Sequence, residues 1–142
     1  MKPNQESLVI GMDFGTDSAR AILVRCEDGE TLASSKTDYP RWSDGKYQDP
    51  ETCLYRQHPL DYLDALESCV SSVLSQDRPS AWGQIVGLGV VTTGSTPCSV
   101  NDEGMPLALQ PEFNENPHAM FNLWKDHTAS REAESVNEIL EN

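Results

Sequence analysis

The stretch from Leu8 to Val24 constrains this chain more than any other. An apolar run, Leu8 to Met12, ends in a carboxylate, Asp13. Tight-turn residues follow, among them Gly15, which is free to take positive φ. A second apolar run, Ala21 to Val24, leads away. The pattern predicts a hairpin with Asp13 at its mouth and the hydroxyls of Thr16 and Ser18 on the turn. Backbone N–H groups in such a turn can face an anion. A carboxylate beside them can hold a hydrated divalent cation on the same anion. That chemistry suits the phosphates of a magnesium nucleotide. The same spacing also suits a plain surface hairpin in which Asp13 only starts the turn, because Asp and Gly are ordinary turn residues.

Around this hairpin the chain reads as α/β. A polar lead-in, residues 2–7, is expected to fray. Strands are expected at about 8–13, 19–26 and 31–38, forming an antiparallel meander with a turn at Glu27-Asp28-Gly29-Glu30. The third strand reads as an edge, since Leu32 sits among small and polar residues. Tyr39 to Gln57 reads as irregular. A helix starts at Pro59 and runs to about Gln76. Asp61 and Asp64 suit its first turn, and Leu63, Leu66, Val70, Val73 and Leu74 form its apolar face. Asp77-Arg78-Pro79-Ser80 ends it.

Ile85 to Val91 lacks polar alternation and reads as a buried strand, parallel and central, reached by a crossover. Gly87 and Gly89 inside it suggest close packing of another element or a ligand. Thr92 to Thr96 is then a small-residue loop at the carboxyl end of that strand, where open α/β sheets bind ligands. Residues 97–109 suggest a short hairpin about Asn101-Asp102-Glu103-Gly104, and 110–117 a polar loop. A last helix is expected at about 128–140, with Ala129, Ala133, Val136 and Leu140 as its stripe.

The 142 residues suffice for one domain with a core. A net charge of −13, from 23 acidic and 10 basic residues, argues against nucleic acid or an anionic membrane as partner. No apolar run approaches membrane-spanning length, and the amino terminus lacks a signal-peptide core. The four cysteines, Cys26, Cys53, Cys69 and Cys98, are scattered and read as reduced residues of a cytoplasmic protein. There is no P-loop, no dinucleotide fingerprint, no histidine pair at zinc-ligand spacing and no hydrolase elbow.

Asp13-Phe14-Gly15-Thr16 resembles the first phosphate motif of the sugar kinase, chaperone ATPase and actin superfamily. Longer stretches narrow the resemblance. They are Tyr39-Pro40-Arg41-Trp42, Arg56 to Tyr62, Thr92 to Cys98, and Asn116 to Thr128. Together they are similar to the L-ribulokinase family of FGGY carbohydrate kinases, from about Val9 onward. The resemblance implies a ribonuclease H-like (actin-like ATPase) α/β domain, here incomplete. Residues 1–142 would be the first part of the N-terminal kinase domain. It implies ATP-dependent phosphorylation of L-ribulose to L-ribulose 5-phosphate in arabinose catabolism, with ATP and Mg2+ as cofactors and a ketopentose as substrate.

By the same resemblance, Asp13, Gly15, Thr16, Asp17 and Ser18 would form the ATP phosphate site, with Asp13 reaching Mg2+ through water. Gly94, Ser95 and Thr96, with Trp124, Lys125 and Asp126, would contact the sugar, the indole offering an apolar wall. The family's catalytic base and adenine pocket lie in segments outside this chain, so the chain alone is expected to be inactive. Self-association through an uncovered sheet edge is expected for it, and a homodimer for the full-length enzyme. One residue departs from the pattern: Val91 stands where ribulokinases carry Asp. Two alternatives stay open. One is another FGGY substrate, of the xylulose or glycerol type. The other is a non-catalytic domain that binds nucleotide or a partner.

Overall fold

The computed structural model describes residues 7–77 and 84–141. The lead-in before Ser7 and the helix stop at Arg78-Pro79-Ser80 lie outside the described residues. The chain forms two compact units: Met1–Ser43 with Leu60–Thr93, and Asp44–Pro59 with Gly94–Asn142.

The first unit is built on the expected meander. β1 (Leu8–Phe14), β2 (Ser18–Arg25) and β3 (Thr31–Asp38) run antiparallel. A short helical turn, α1 (Pro40–Ser43), follows, and later come helix α2 (Pro59–Asp77) and strand β6 (Ile85–Thr92). The sheet order is β3-β2-β1-β6, with β6 parallel to β1. Alternation sets the faces. Leu8, Ile10, Met12 and Phe14 of β1, and Ala19, Ala21 and Leu23 of β2, are buried.

α2 packs on that buried face through a stripe that keeps Val73 and Leu74 of the expected face and adds smaller residues ahead of them. Asp61, Ala65, Cys69 and Val73 recur every fourth residue and are each 0% exposed, while Leu63 is 49% exposed. Small residues win because they let the helix approach the sheet at Ala19. Cys69 Sγ lies 3.6 Å from the Ala19 carbonyl oxygen. Side-chain bonds continue along the same flank: Thr37 Oγ1 donates to Ser68 Oγ, and Gln76 Nε2 to the Ser34 carbonyl.

β6 is parallel as expected, but it is the sheet's edge rather than its centre. Among the described residues no strand pairs with its outer side. α2 covers the β2–β3 flank, so β6 is not the buried strand its composition suggested. Val86, Leu88, Val90 and Val91 are 64, 52, 52 and 66% exposed. Gly89 has no neighbour within 4 Å of a Cβ position among the described residues. On the open face, Gly11 has a clear reason to be glycine: a Cβ there would meet Ile22 Cγ1 at 3.2 Å.

The second unit departs more from expectation. Residues 44–57 contain β4 (Gln48–Asp49) and β5 (Leu54–Gln57) rather than irregular chain. β5 also pairs with β7 (Phe121–Asn122), giving the order β4-β5-β7. Strands this short carry no readable alternation. The expected short hairpin about residues 101–104 is present, with Val100 bridging Pro106 in antiparallel fashion and the Leu107 N–H donating to the Ser99 carbonyl at 2.9 Å, and a 3-10 turn at Leu107–Leu109 follows it. A second such turn, Pro117–Ala119, is capped by Asn116, whose side chain accepts the His118 N–H. Ala108, Ala119 and Met120 form a small core with Tyr47, Leu107 and Phe113 around it. Helix α3 (Ser130–Leu140) starts slightly later than expected, and its apolar stripe is wholly exposed.

Two leucines of the sheet separate burial from composition. Leu23 is fully buried and Leu88 half exposed. Leu23→Ala is expected to destabilise the fold by about 2–5 kcal/mol, and Leu88→Ala by about 1 kcal/mol or less, measured by urea unfolding. Equal losses would contradict the burial pattern.

Candidate functional site

The β1–β2 turn is the first candidate. Gly15 is glycine for contact rather than for φ: its backbone is not left-handed, and a Cβ would sit 3.3 Å from the Ser18 carbonyl oxygen. The Gly15 N–H donates to that oxygen at 3.0 Å and closes the turn. It therefore does not point outward as an anion donor. Ser18 is 4% exposed and serves the turn through this carbonyl. Thr16 stands between them, half-buried.

Asp13 lies on the open face at the end of β1. Its cross-strand neighbours are Arg20 on β2 and Val91 on β6, so the three form one row. Arg20 Nη1 is 3.4 Å from Asp13 Oδ2, with both side chains more than half exposed. Such a pair adds little stability and leaves the carboxylate accessible. An open depression of about 500 Å³ runs from Asp13 and Arg20 over Gly11, Ile22, Gly89 and Val91. Asp13 is an accessible carboxylate of the kind that Mg2+ takes, one or two per ion, with waters completing the shell. Among the described residues no cluster of three metal-ligating side chains exists.

Asp17, expected at the phosphates, has a partner of its own. Its Oδ1 accepts the Trp42 indole N–H at 2.8 Å. Tyr39 reaches the same turn twice: its N–H donates to the Asp17 carbonyl at 3.0 Å, and its hydroxyl to the Gly15 carbonyl at 3.2 Å. Tyr39 is fully buried and stacks on Tyr62, which stacks on Phe14. Burial pushes the Tyr39 phenol well up, so it stays a donor at any physiological pH. Sequence reasoning recognised Tyr39-Pro40-Arg41-Trp42 as a motif but found no role for it. It also missed Thr93, whose N–H and hydroxyl both donate to the Phe14 carbonyl at 3.0 Å.

The sugar candidates all belong to the second unit. Cys98 bridges Phe121 in antiparallel fashion, and the Asn122 N–H donates to the Pro97 carbonyl at 2.8 Å. This register carries the Gly94–Thr96 loop toward the end of the pair from which Trp124 continues. Ser95 holds φ +55°, a conformation that favours glycine. Thr96 Oγ1 donates to the Gly94 carbonyl. Trp124 is 54% exposed.

Lys125 and Asp126 face elsewhere. Lys125 Nζ sits 4.4 Å from the Tyr55 ring centroid. Asp126 turns onto the chain's own donors: Oδ2 accepts the Tyr55 N–H at 2.7 Å, and Oδ1 accepts the Thr128 hydroxyl at 2.6 Å and N–H at 3.2 Å. Arg56 Nη2 is 3.5 Å away, and both side chains of this ion pair are under a tenth exposed. These contacts occupy Asp126, which the resemblance had placed at the sugar, with donors of the chain itself. They make it a clamp between β5 and the loop that carries Trp124.

In the first unit Asp13, Arg20 and Val91 stand in one row, and in the second unit Trp124 stands exposed on its loop. The comparisons agree on the fold. A ligand-bound xylulose kinase from Lactobacillus acidophilus superposes with a TM-score of 0.68 at 17% identity, over 93% of this chain and 22% of that one. A gluconate kinase from the same organism gives 0.68 at 16%, over 93% and 23%. In sequence the chain is similar to ribulokinases. It is 48% identical to the ribulokinase of Vibrio parahaemolyticus over 131 residues, 92% of this chain and 23% of the relative. Against the ribulokinase of Halalkalibacterium halodurans it is 36% identical over 138 residues, 93% and 24%. The chain therefore spans about a quarter of the length of the ribulokinases it matches. No family model matches it.

The clamp at Asp126 sets a pH dependence. Burial raises its carboxyl, but hydrogen bonds from the Thr128 hydroxyl and the Tyr55 N–H outweigh that and hold it below its ordinary value. The unfolded chain, titrating near about 3.9, binds this proton more tightly. The contribution is complete above that value and is lost as pH falls through the lower folded one. Asp126→Asn is expected to lower stability at neutral pH and flatten the acid limb below about pH 4 in urea unfolding. An unchanged acid limb would count against the clamp.

Proposed function

We propose that the protein carrying this chain is an ATP-dependent carbohydrate kinase acting on L-ribulose at its terminal hydroxyl to give L-ribulose 5-phosphate, and that residues 1–142 are the first part of its N-terminal kinase domain. The observation that carries this reading is the 48% identity to a ribulokinase through nearly the whole chain, including the turn and the Trp124 loop.

Phosphoryl transfer is mostly positioning and charge stabilisation, so the chain's residues act as anchors. Asp13 holds the water shell of Mg2+. The ion, when bound, neutralises charge on the transferring phosphates. Gly15 and Thr16 give the turn its close backbone approach. Gly94, Ser95 and Thr96 offer hydroxyls and carbonyls to the ketopentose, and Trp124 an apolar wall for its C–H face. The catalytic base and adenine pocket belong to family segments outside this chain, so residues 1–142 alone turn over no sugar. The protein works in the cytoplasm, in the catabolism of arabinose.

A second reading, a non-catalytic nucleotide- or partner-binding protein, is favoured by one residue. Val91 stands beside Asp13 in the same row, where a carboxylate would double the acidic character of the site. A coupled kinase assay separates the two, using the full-length protein with Mg-ATP and L-ribulose, D-ribulose, L-xylulose or glycerol. L-Ribulose is expected to be turned over at about 1 per second or faster and to outpace the others. Another preferred sugar would move the reading to a different FGGY kinase. No turnover of any sugar by folded protein would favour the non-catalytic reading.

Among the described residues the edge of β6 is unpaired and apolar, which supports self-association of residues 1–142. Sedimentation velocity is expected to give a mass that rises with concentration, and Leu88→Lys to return a monomer. A clean monomer throughout would reject it.

A further inference from the structure

Four consecutive residues, Tyr39 to Trp42, hold the β1–β2 turn from behind. They place three donors on its two ends: the Tyr39 hydroxyl on the Gly15 carbonyl, the Tyr39 N–H on the Asp17 carbonyl, and the Trp42 indole on the Asp17 carboxylate. The segment is itself fixed by Asp61, wholly buried, which accepts the Trp42 N–H at 3.2 Å, the Arg41 N–H at 3.3 Å and Arg41 Nη1 at 2.8 Å. Trp42 is 8% exposed, so its ring is packed among its neighbours. A turn that receives a polyanion gains from this in two ways. Its backbone is preorganised, and the one carboxylate at its far end is paired with an N–H dipole instead of facing the anion unpaired.

We propose that Trp42 is a positioning residue for nucleotide phosphates, acting through Asp17 on the turn, with Tyr39 as its companion at Gly15. This rests on the kinase reading above. Trp42→Phe removes the indole N–H and keeps an aromatic ring. Tyr39→Phe removes only the hydroxyl and serves if the first variant does not fold.

In the full-length protein each variant is expected to raise KM for Mg-ATP about fivefold, the scale of one hydrogen bond, with KM for the sugar within twofold of wild type. Unchanged KM for Mg-ATP in both variants would overturn the proposal. So would parallel rises in both KM values, which mark a general structural loss. Hydrogen exchange at the Gly15 amide, in ligand-free protein, decides the matter even if the kinase reading fails. Exchange at least about fivefold faster in the variants keeps the hold on the turn, and equal exchange removes it.

Discussion

The buried carboxylate of Asp61 is the interaction on which most of the first unit depends. A wholly buried charge persists only when it is paired and hydrogen-bonded. Asp61 meets both conditions at once, through the Arg41 guanidinium and the backbone N–H groups of Arg41 and Trp42. It also sits in the first turn of α2, where the helix dipole favours a negative charge. One side chain therefore fastens the start of α2 to the segment after β3. That segment in turn reaches the β1–β2 turn. Remove the carboxylate and the donors that shape the turn lose their anchor.

The same logic appears in the second unit with different residues. Asp126 binds backbone and hydroxyl donors from two separated stretches and pairs with Arg56, itself nearly buried. In both units a buried carboxylate serves the architecture, and in the second it is one that the resemblance had placed at the sugar. Among the candidate residues, Asp13 stands exposed beside Arg20 on the first unit, and Ser95 and Trp124 stand exposed on the second.

Much of the first unit was legible because its signals are local. The alternation in Leu8–Phe14 and Ser18–Arg25, and the turn glycine at Gly29 with φ +76°, each act within a few residues. In the second unit the last helix was legible but the short strands were not. β5 and β7 are four and two residues long, and they pair across more than sixty residues of chain. Nothing local distinguishes such strands from loop. The apolar run of β6 misled for a related reason: composition reports what a strand can bury, not what covers it.

By itself the amino-acid sequence determined the meander, the crossover to a parallel strand, the resemblance to ribulokinases and the set of residues from which a site is drawn. These follow from periodicity, turn chemistry and motif. Only the tertiary structure decided which members of that set face outward. Asp13 and Asp126 are both carboxylates within motifs, and no spacing rule separates them. What separates them is the number of donors that folding brings within hydrogen-bond range, and these come from residues far away along the chain.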